Sequence, residues 1–136
     1  NDNMGSYVAN QVIGLMHKKN IITKGANVLI MGLTFKENCP DLRNTKVVDL
    51  ISEFVKFNCN VDIYDPWVDK ERAVYEYKIK PIDIPIPNQY DAIVIAVAHD
   101  EFKQLSLSQI KSYGKENHVI YDIKYLLKAD EVDGRL

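Results

Sequence analysis

The sequence predicts an α/β fold, a doubly wound three-layer domain in which a mostly parallel sheet of five or six strands carries helices on both faces. Three observations predict it. The apolar runs Val28-Leu29-Ile30-Met31 and Asp91 to Val97 (DAIVIAV) have strand length and the unbroken hydrophobicity of strands buried on both faces. Segments of helical period alternate with them. One complete strand, helix and strand unit runs from Asn27 to Tyr64, and such a unit pairs its strands in parallel through a right-handed crossover.

Taken in order, residues 4–19 read as a helix. Met4, Val8, Val12, Leu15 and Met16 share one face, and His17, Lys18 and Lys19 suit the negative end of the helix dipole. Thr23, Lys24 and Gly25 break the pattern. The chain opens at Asn1-Asp2-Asn3 without Met, so residues 1–22 are expected to be the end of a longer linking helix and residues 23–136 the domain proper. Gly32 ends the first strand where the backbone must turn. Asn44 is placed to cap a helix whose apolar residues are Val47, Val48, Ile51, Phe54 and Val55.

Asn60 to Tyr64 (NVDIY) is rich in β-formers, and Asp65-Pro66 stops it. A short helix is expected over residues 68–77. Residues 79–88 carry Pro81, Pro85 and Pro87, which exclude a central strand and leave a short edge strand followed by a loop. A loop and short turn at 98–103 precede a helix over 106–113 capped by Ser106 or Ser108. His118 to Asp122 reads as the last strand, 124–129 as a short terminal helix and 130–136 as a loose polar tail.

Charge and cysteine usage narrow the function. Seventeen Lys and Arg against nineteen Asp and Glu, a formal net charge of -2, exclude the basic excess of a general nucleic-acid or membrane-surface binder. Any anion site must therefore be local. Cys39 and Cys59 stand in no CxxC pattern and have no His at metal-ligand spacing, so reduced thiols and no metal are expected. No apolar run approaches the roughly 20 residues of a membrane span, and a soluble intracellular chain is expected.

The chemistry concentrates between Gly32 and Asn44. Lys36 and Arg43, beside Asp41 and a helix start, make a seat for a phosphate or diphosphate; the alternative is a solvated loop with two surface cations. A dinucleotide fingerprint is absent. Where G-x-G-x-x-G belongs stand Gly32-Leu33-Thr34-Phe35-Lys36-Glu37, and Asp65, at the position of a ribose-binding acid, reads better as the cap of the Pro66-Trp67 turn. A receiver-type phospho-acceptor site is also excluded, because Ala96-Val97-Ala98 supplies no carboxylate at the third strand end. His99 follows a buried strand where α/β sheets place ligands, yet no nucleophile is placed for it to serve as a base, and a solvated or capping role is expected. Nothing in the sequence activates Cys39.

The segment Gly32 to Thr45, GLTFKENCPDLRNT, resembles the C-terminal domain of the UDP-glucose/GDP-mannose dehydrogenase family, with its pattern G-x-x-F-K-x-x-x-x-D-x-R. The resemblance continues through VDIYDPWVD, DAIVIAVAH and the closing YDIK, and the opening NDNMGSYVANQV looks like the end of the family's central helix. Within the family it is nearest the Vi-antigen-type branch, which oxidises UDP-N-acetylhexosamines to uronic acids for surface polysaccharide. The resemblance implies a Rossmann-like domain that closes over the nucleotide end of a UDP-sugar. The cofactor is then NAD, held mainly by an N-terminal domain that also brings the catalytic Cys, so no catalytic residue lies in this stretch. It further implies a cytoplasmic homodimer with a UDP-sugar substrate and no nucleic-acid or membrane partner. Position by position, Phe35 and Lys36 match substrate contacts and Arg43 matches a contact to NAD. Lys124 falls where other members carry an Arg that touches the nucleotide, and it keeps the charge without the bidentate fork. Asp41 matches the motif acid and is expected to orient Lys36 or Arg43. The alternative of a different class is a non-catalytic nucleotide-binding or regulatory module.

Overall fold

A computed structural model describes residues 3–136. The expected Asn1-Asp2 start of the linking helix lies outside the described residues. The elements are α1 (Met4–Lys18), β1 (Asn27–Met31), α2 (Val47–Lys56), β2 (Asn60–Tyr64), α3 (Lys70–Tyr77), β3 (Tyr90–Ile95), α4 (Asp100–Lys103), α5 (Leu107–Tyr113), β4 (Gly114–Asp122) and β5 (Gly134–Arg135), with a 3-10 turn at Ala129–Glu131. The five strands form one sheet in the order β2-β1-β3-β4-β5, and every pairing is parallel. Val28 faces Ala92 and Ile30 faces Val94, so the two apolar runs are neighbours, as their continuous hydrophobicity requires. The chain steps from β1 outward to β2 and then crosses to β3 on the other side. The strand order therefore reverses between β1 and β3, the switch point at whose carboxyl ends doubly wound sheets place ligands.

The pleat sends alternate side chains to opposite faces, which splits the core in two. Val28, Ile30, Ala92, Val94, Val119 and Tyr121 pack under α1 and α2, whereas Leu29, Met31, Ile93, Ile95 and Ile120 pack under Phe102 of α4 and Ile110 of α5. Val8, Ala9, Val12, Ile13 and Met16 of α1 are buried, so the apolar face of the opening helix is covered by its own domain.

Gly5 makes that packing possible: a Cβ there would stand 2.9 Å from the Leu50 backbone nitrogen of α2. Gly5→Ala is expected to force the helices apart and destabilise the domain by about 1–3 kcal/mol, the usual range for overpacking. A urea melt of the variant beside the parent checks this, and equal midpoints would show that the α1–α2 contact yields without cost. Gly32 meets a stricter demand. Its φ of 108° lies in the left-handed region and a Cβ would fall 2.5 Å from the Val97 side chain, so the turn at the end of β1 takes only glycine.

Six expectations about elements are corrected. The α2 cap is not Asn44, whose φ of 60° turns the chain; the Thr45 hydroxyl accepts the Val47 N–H instead, and Lys46 holds the N-cap position. Val55 points to solvent, and Leu50 fills the core position. Residues 79–88 give one parallel bridge, Ile82 beside Tyr64, in place of an edge strand. No helix forms over 124–129, where Tyr125 takes a φ of 60° that breaks helical geometry. The tail is not loose, and 118–122 is not the last strand. Asp133 accepts the Ile120 N–H and pairs with Lys19 at 2.8 Å, Gly134 and Arg135 add β5, and the Arg135 guanidinium covers the Tyr125 ring at 3.7 Å. Among the described residues no helix is long and apolar enough to cross a membrane.

Candidate functional site

The carboxyl ends of the parallel strands gather the polar residues that the sequence singles out. The 32–46 loop leaves β1, Asp65 ends β2, His99 follows β3 by four residues, and Asp122 closes β4. Phe35 and Lys36 stand on the first of these loops, at the reversal of strand order. Phe35 is 53% exposed, Lys36 is exposed, and the Lys36 ammonium has no carboxylate partner among the described residues.

Arg43 sits further along the same loop, on the α3 side. Its guanidinium grips Asp41 through both carboxylate oxygens, with Nη2 at 2.9 Å from Oδ2, and lines a groove with Cys39, Pro40, Asp69, Arg72 and Glu76. The side-chain bond from Arg43 holds the Asp41 carboxyl well below the usual carboxylate range, at about 2. Asp41 therefore orients Arg43 and not the Lys36 side chain. Its carbonyl accepts the Phe35 N–H at 2.7 Å, which closes the loop on itself.

Lys124 is exposed on the far side, just beyond β4, with its N–H donating to Asp122 Oδ1. Two strand spacings separate it from Lys36, about 10 Å along the sheet. Phe35 and Lys36 thus lie centrally, Arg43 to one side and Lys124 to the other. The α2 N-terminus does not join them: Thr45 and Val47 are buried, and the first N–H group is taken by Thr45 Oγ1. The expected seat therefore loses its helix end, and only the loop carries the cations.

Under the loop lies a polar cluster whose extent is not visible in the sequence. Asp65 does accept the Trp67 N–H through Oδ1, as a turn cap should, at 2.8 Å. Its other oxygen accepts three donors, the N–H groups of Leu33 (2.7 Å) and Thr34 (3.0 Å) and the ring of His99 (2.9 Å). His99 is fully buried, which corrects the expected solvated role; it holds the N-cap position of α4 without a side-chain cap bond. Its Nδ1 accepts the Asn38 N–H at 3.0 Å, so the ring proton is on Nε2, where it faces Asp65 and, at 3.2 Å, the Thr34 hydroxyl. Trp67 stacks on the ring and Phe102 meets it edge-on. The missed signal was the coincidence of polar residues beyond the ends of the two strands that flank β1, Asp65 after β2 and His99 after β3.

Burial pushes the Asp65 carboxyl up, but the bonds from His99, Leu33 and Thr34 outweigh it and hold the group below its ordinary value of 3.8. A depressed folded-state value stabilises the fold above the ordinary value, and that contribution is lost as pH falls through the depressed one. The stability advantage of the wild type over Asp65→Asn is therefore expected to be constant from neutral pH down to about pH 5 and to shrink on acidification below 3.8. Paired urea melts across that range check it; an advantage that grows in acid would reverse the sign.

A doubly wound parallel sheet with a solvent-facing loop carrying Lys36 and Arg43 at its switch point is the architecture on which α/β domains commonly bind ligands. The family model described as the UDP-glucose/GDP-mannose dehydrogenase family, UDP binding domain, matches residues 29–129, and the chain belongs to that family. It is 54% identical over all 136 residues to the UDP-N-acetyl-D-glucosamine 6-dehydrogenase of Pseudomonas aeruginosa and 52% identical to that of Salmonella typhi, covering 32% of each. The chain thus spans about a third of the length of these relatives. Among solved structures it is similar in fold to the UDP-D-ManNAc dehydrogenase of Pyrococcus horikoshii, with a TM-score of 0.80 at 24% identity over 99% of this chain and 31% of that one.

Proposed function

We propose that this chain is the substrate-binding C-terminal part of an NAD-dependent nucleotide-sugar 6-dehydrogenase that oxidises a UDP-N-acetylhexosamine to its uronic acid for surface polysaccharide biosynthesis. The observation that carries the reading is the placement of the GLTFKENCPDLR loop at the switch point, with Lys36 free to meet an anion. Phe35 and Lys36 hold the UDP-sugar, Lys124 adds charge at its nucleotide end, and Arg43 reaches the NAD.

The switch point of this sheet does not suit a dinucleotide. The Leu33 and Thr34 N–H groups, which would cradle a pyrophosphate, both donate to Asp65, and both oxygens of that carboxylate are engaged. NAD is therefore assigned mainly to a separate N-terminal domain, which supplies hydride acceptance and the nucleophilic Cys. Residues 1–22, which carry α1, link that domain to residues 23–136, and the full-length protein is a cytoplasmic homodimer through the linking helix.

The test is oxidation of UDP-N-acetylglucosamine by the full-length protein with NAD+ as acceptor. Conversion of a primary alcohol to a carboxylate releases two hydrides, so NADH and uronic acid are expected in a two-to-one ratio. UDP binding without any NADH would leave a nucleotide-binding module and sink the enzyme reading.

A further inference from the structure

We propose that the buried His99–Asp65 pair, acting with the Thr34 hydroxyl, is a positioning device that holds the Lys36 loop in its binding shape, and that its decisive contact is the acceptor at His99 Nδ1. The inference rests on the functional reading above, in which Lys36 meets the diphosphate of a UDP-sugar.

The loop is tied on both sides of Lys36. Before it, Asp65 fixes the Leu33 and Thr34 N–H groups. At Lys36 itself, the Thr34 hydroxyl donates to the Lys36 carbonyl at 3.2 Å. After it, His99 Nδ1 accepts the Asn38 N–H, while the Asn38 side-chain oxygen accepts the Asp100 N–H at 3.0 Å and joins the loop to the start of α4. Asn38 has a φ of 54°, a conformation that a non-glycine residue keeps only when its surroundings hold it. The outer ties lead to Asp65 just after β2 and to His99 and Asp100 after β3, and the Thr34–Lys36 bond braces the loop within itself, so a flexible lysine is mounted on the rigid sheet while its side chain stays exposed.

The two ring nitrogens do separable work. Nε2 donates to Asp65 and serves the buried cluster; Nδ1 accepts from the loop. An asparagine amide reaches the place of Nδ1 and a glutamine amide that of Nε2. His99→Asn thus keeps the acceptor toward Asn38 and gives up the donor to Asp65, whereas His99→Gln does the reverse. A merely structural histidine predicts that Gln, which keeps the Asp65 bond, is the milder change. A positioning histidine predicts the opposite order in substrate binding.

The experiment uses the full-length protein and measures KM for UDP-N-acetylglucosamine, KM for NAD+, the dissociation constant of UDP and a thermal melt for the wild type, Lys36→Ala, His99→Asn and His99→Gln. His99→Gln is expected to raise the KM for UDP-sugar and the UDP dissociation constant about tenfold with the KM for NAD+ unchanged, and His99→Asn to stay within about threefold of wild type. Equal values for the two, or near-normal UDP binding by His99→Gln, would overturn the proposal. Should neither fold, Thr34→Val carries the test, because it spares the His99–Asp65 bond and removes the hydroxyl with its tie to the Lys36 carbonyl and its contact to His99 Nε2; unchanged UDP affinity in it would also overturn the proposal. A wild type that binds no UDP would instead remove the functional reading and this inference with it, whereas a wild type and Lys36→Ala that behave as that reading requires isolate a failure of the positioning role.

Discussion

Lys36→Ala in the full-length protein should lower turnover of the UDP-sugar by at least about tenfold and leave the melting temperature where it is. The side chain is exposed and pairs with no carboxylate among the described residues, so its loss removes nothing from the core. In the proposed role its ammonium meets a diphosphate, or charge that develops near the reacting sugar, and a charge-assisted bond of that kind contributes roughly 1.5–3 kcal/mol. One factor of ten corresponds to about 1.4 kcal/mol, so even the low end of that range gives the stated loss. Steady-state kinetics beside a melt decide it. Near-normal turnover would mean that the loop does not clamp the substrate, and a lowered melting temperature would mean that Lys36 supports the fold.

The fold was legible in the sequence wherever local pattern and tertiary demand agree. Residues 28–31 and 92–97 are apolar without interruption because the sheet is covered on both faces, and Ser106 with Gln109 forms the capping box that the spacing allows. Legibility fails where one tertiary contact overrides local chemistry. Asn44 is an excellent cap by type, yet the chain needs a left-handed residue there and the capping falls to Thr45. Residues 124–136 are short and polar, but the Asp133 carboxylate and Gly134, which lets Tyr121 and Leu15 come close, bind them to β4. The exposed part of the candidate site, Phe35 to Arg43, was legible because its residues form a contiguous motif. Its buried support was not, since Asp65 and His99 are 34 residues apart and meet only when β2 and β3 flank β1.

That support sets the largest expected effect on stability. Asp65→Ala should destabilise the chain by roughly 4 kcal/mol or more, because Leu33 N–H, Thr34 N–H and the His99 ring lose their acceptor in a place water does not reach, and an orphaned buried donor costs about 1–3 kcal/mol. The fourth donor, Trp67 N–H, belongs to a residue that is 37% exposed and can be hydrated, so it adds little. Asp65→Asn should cost about half as much. Its single amide oxygen can turn toward the three buried donors, leaving the amide nitrogen against Trp67 N–H near the surface, and what is lost is mainly the charge that strengthens the bonds. Urea denaturation of the three proteins orders them as wild type, Asn, Ala. The His99 contribution is separable by a double-mutant cycle with His99→Phe: removing ring and carboxylate together takes away both halves of one buried pair, so the two losses should sum to more than the double variant shows. Strict additivity would mean that the 2.9 Å contact between them carries no energy and that the two backbone N–H groups alone account for the geometry of the loop's start.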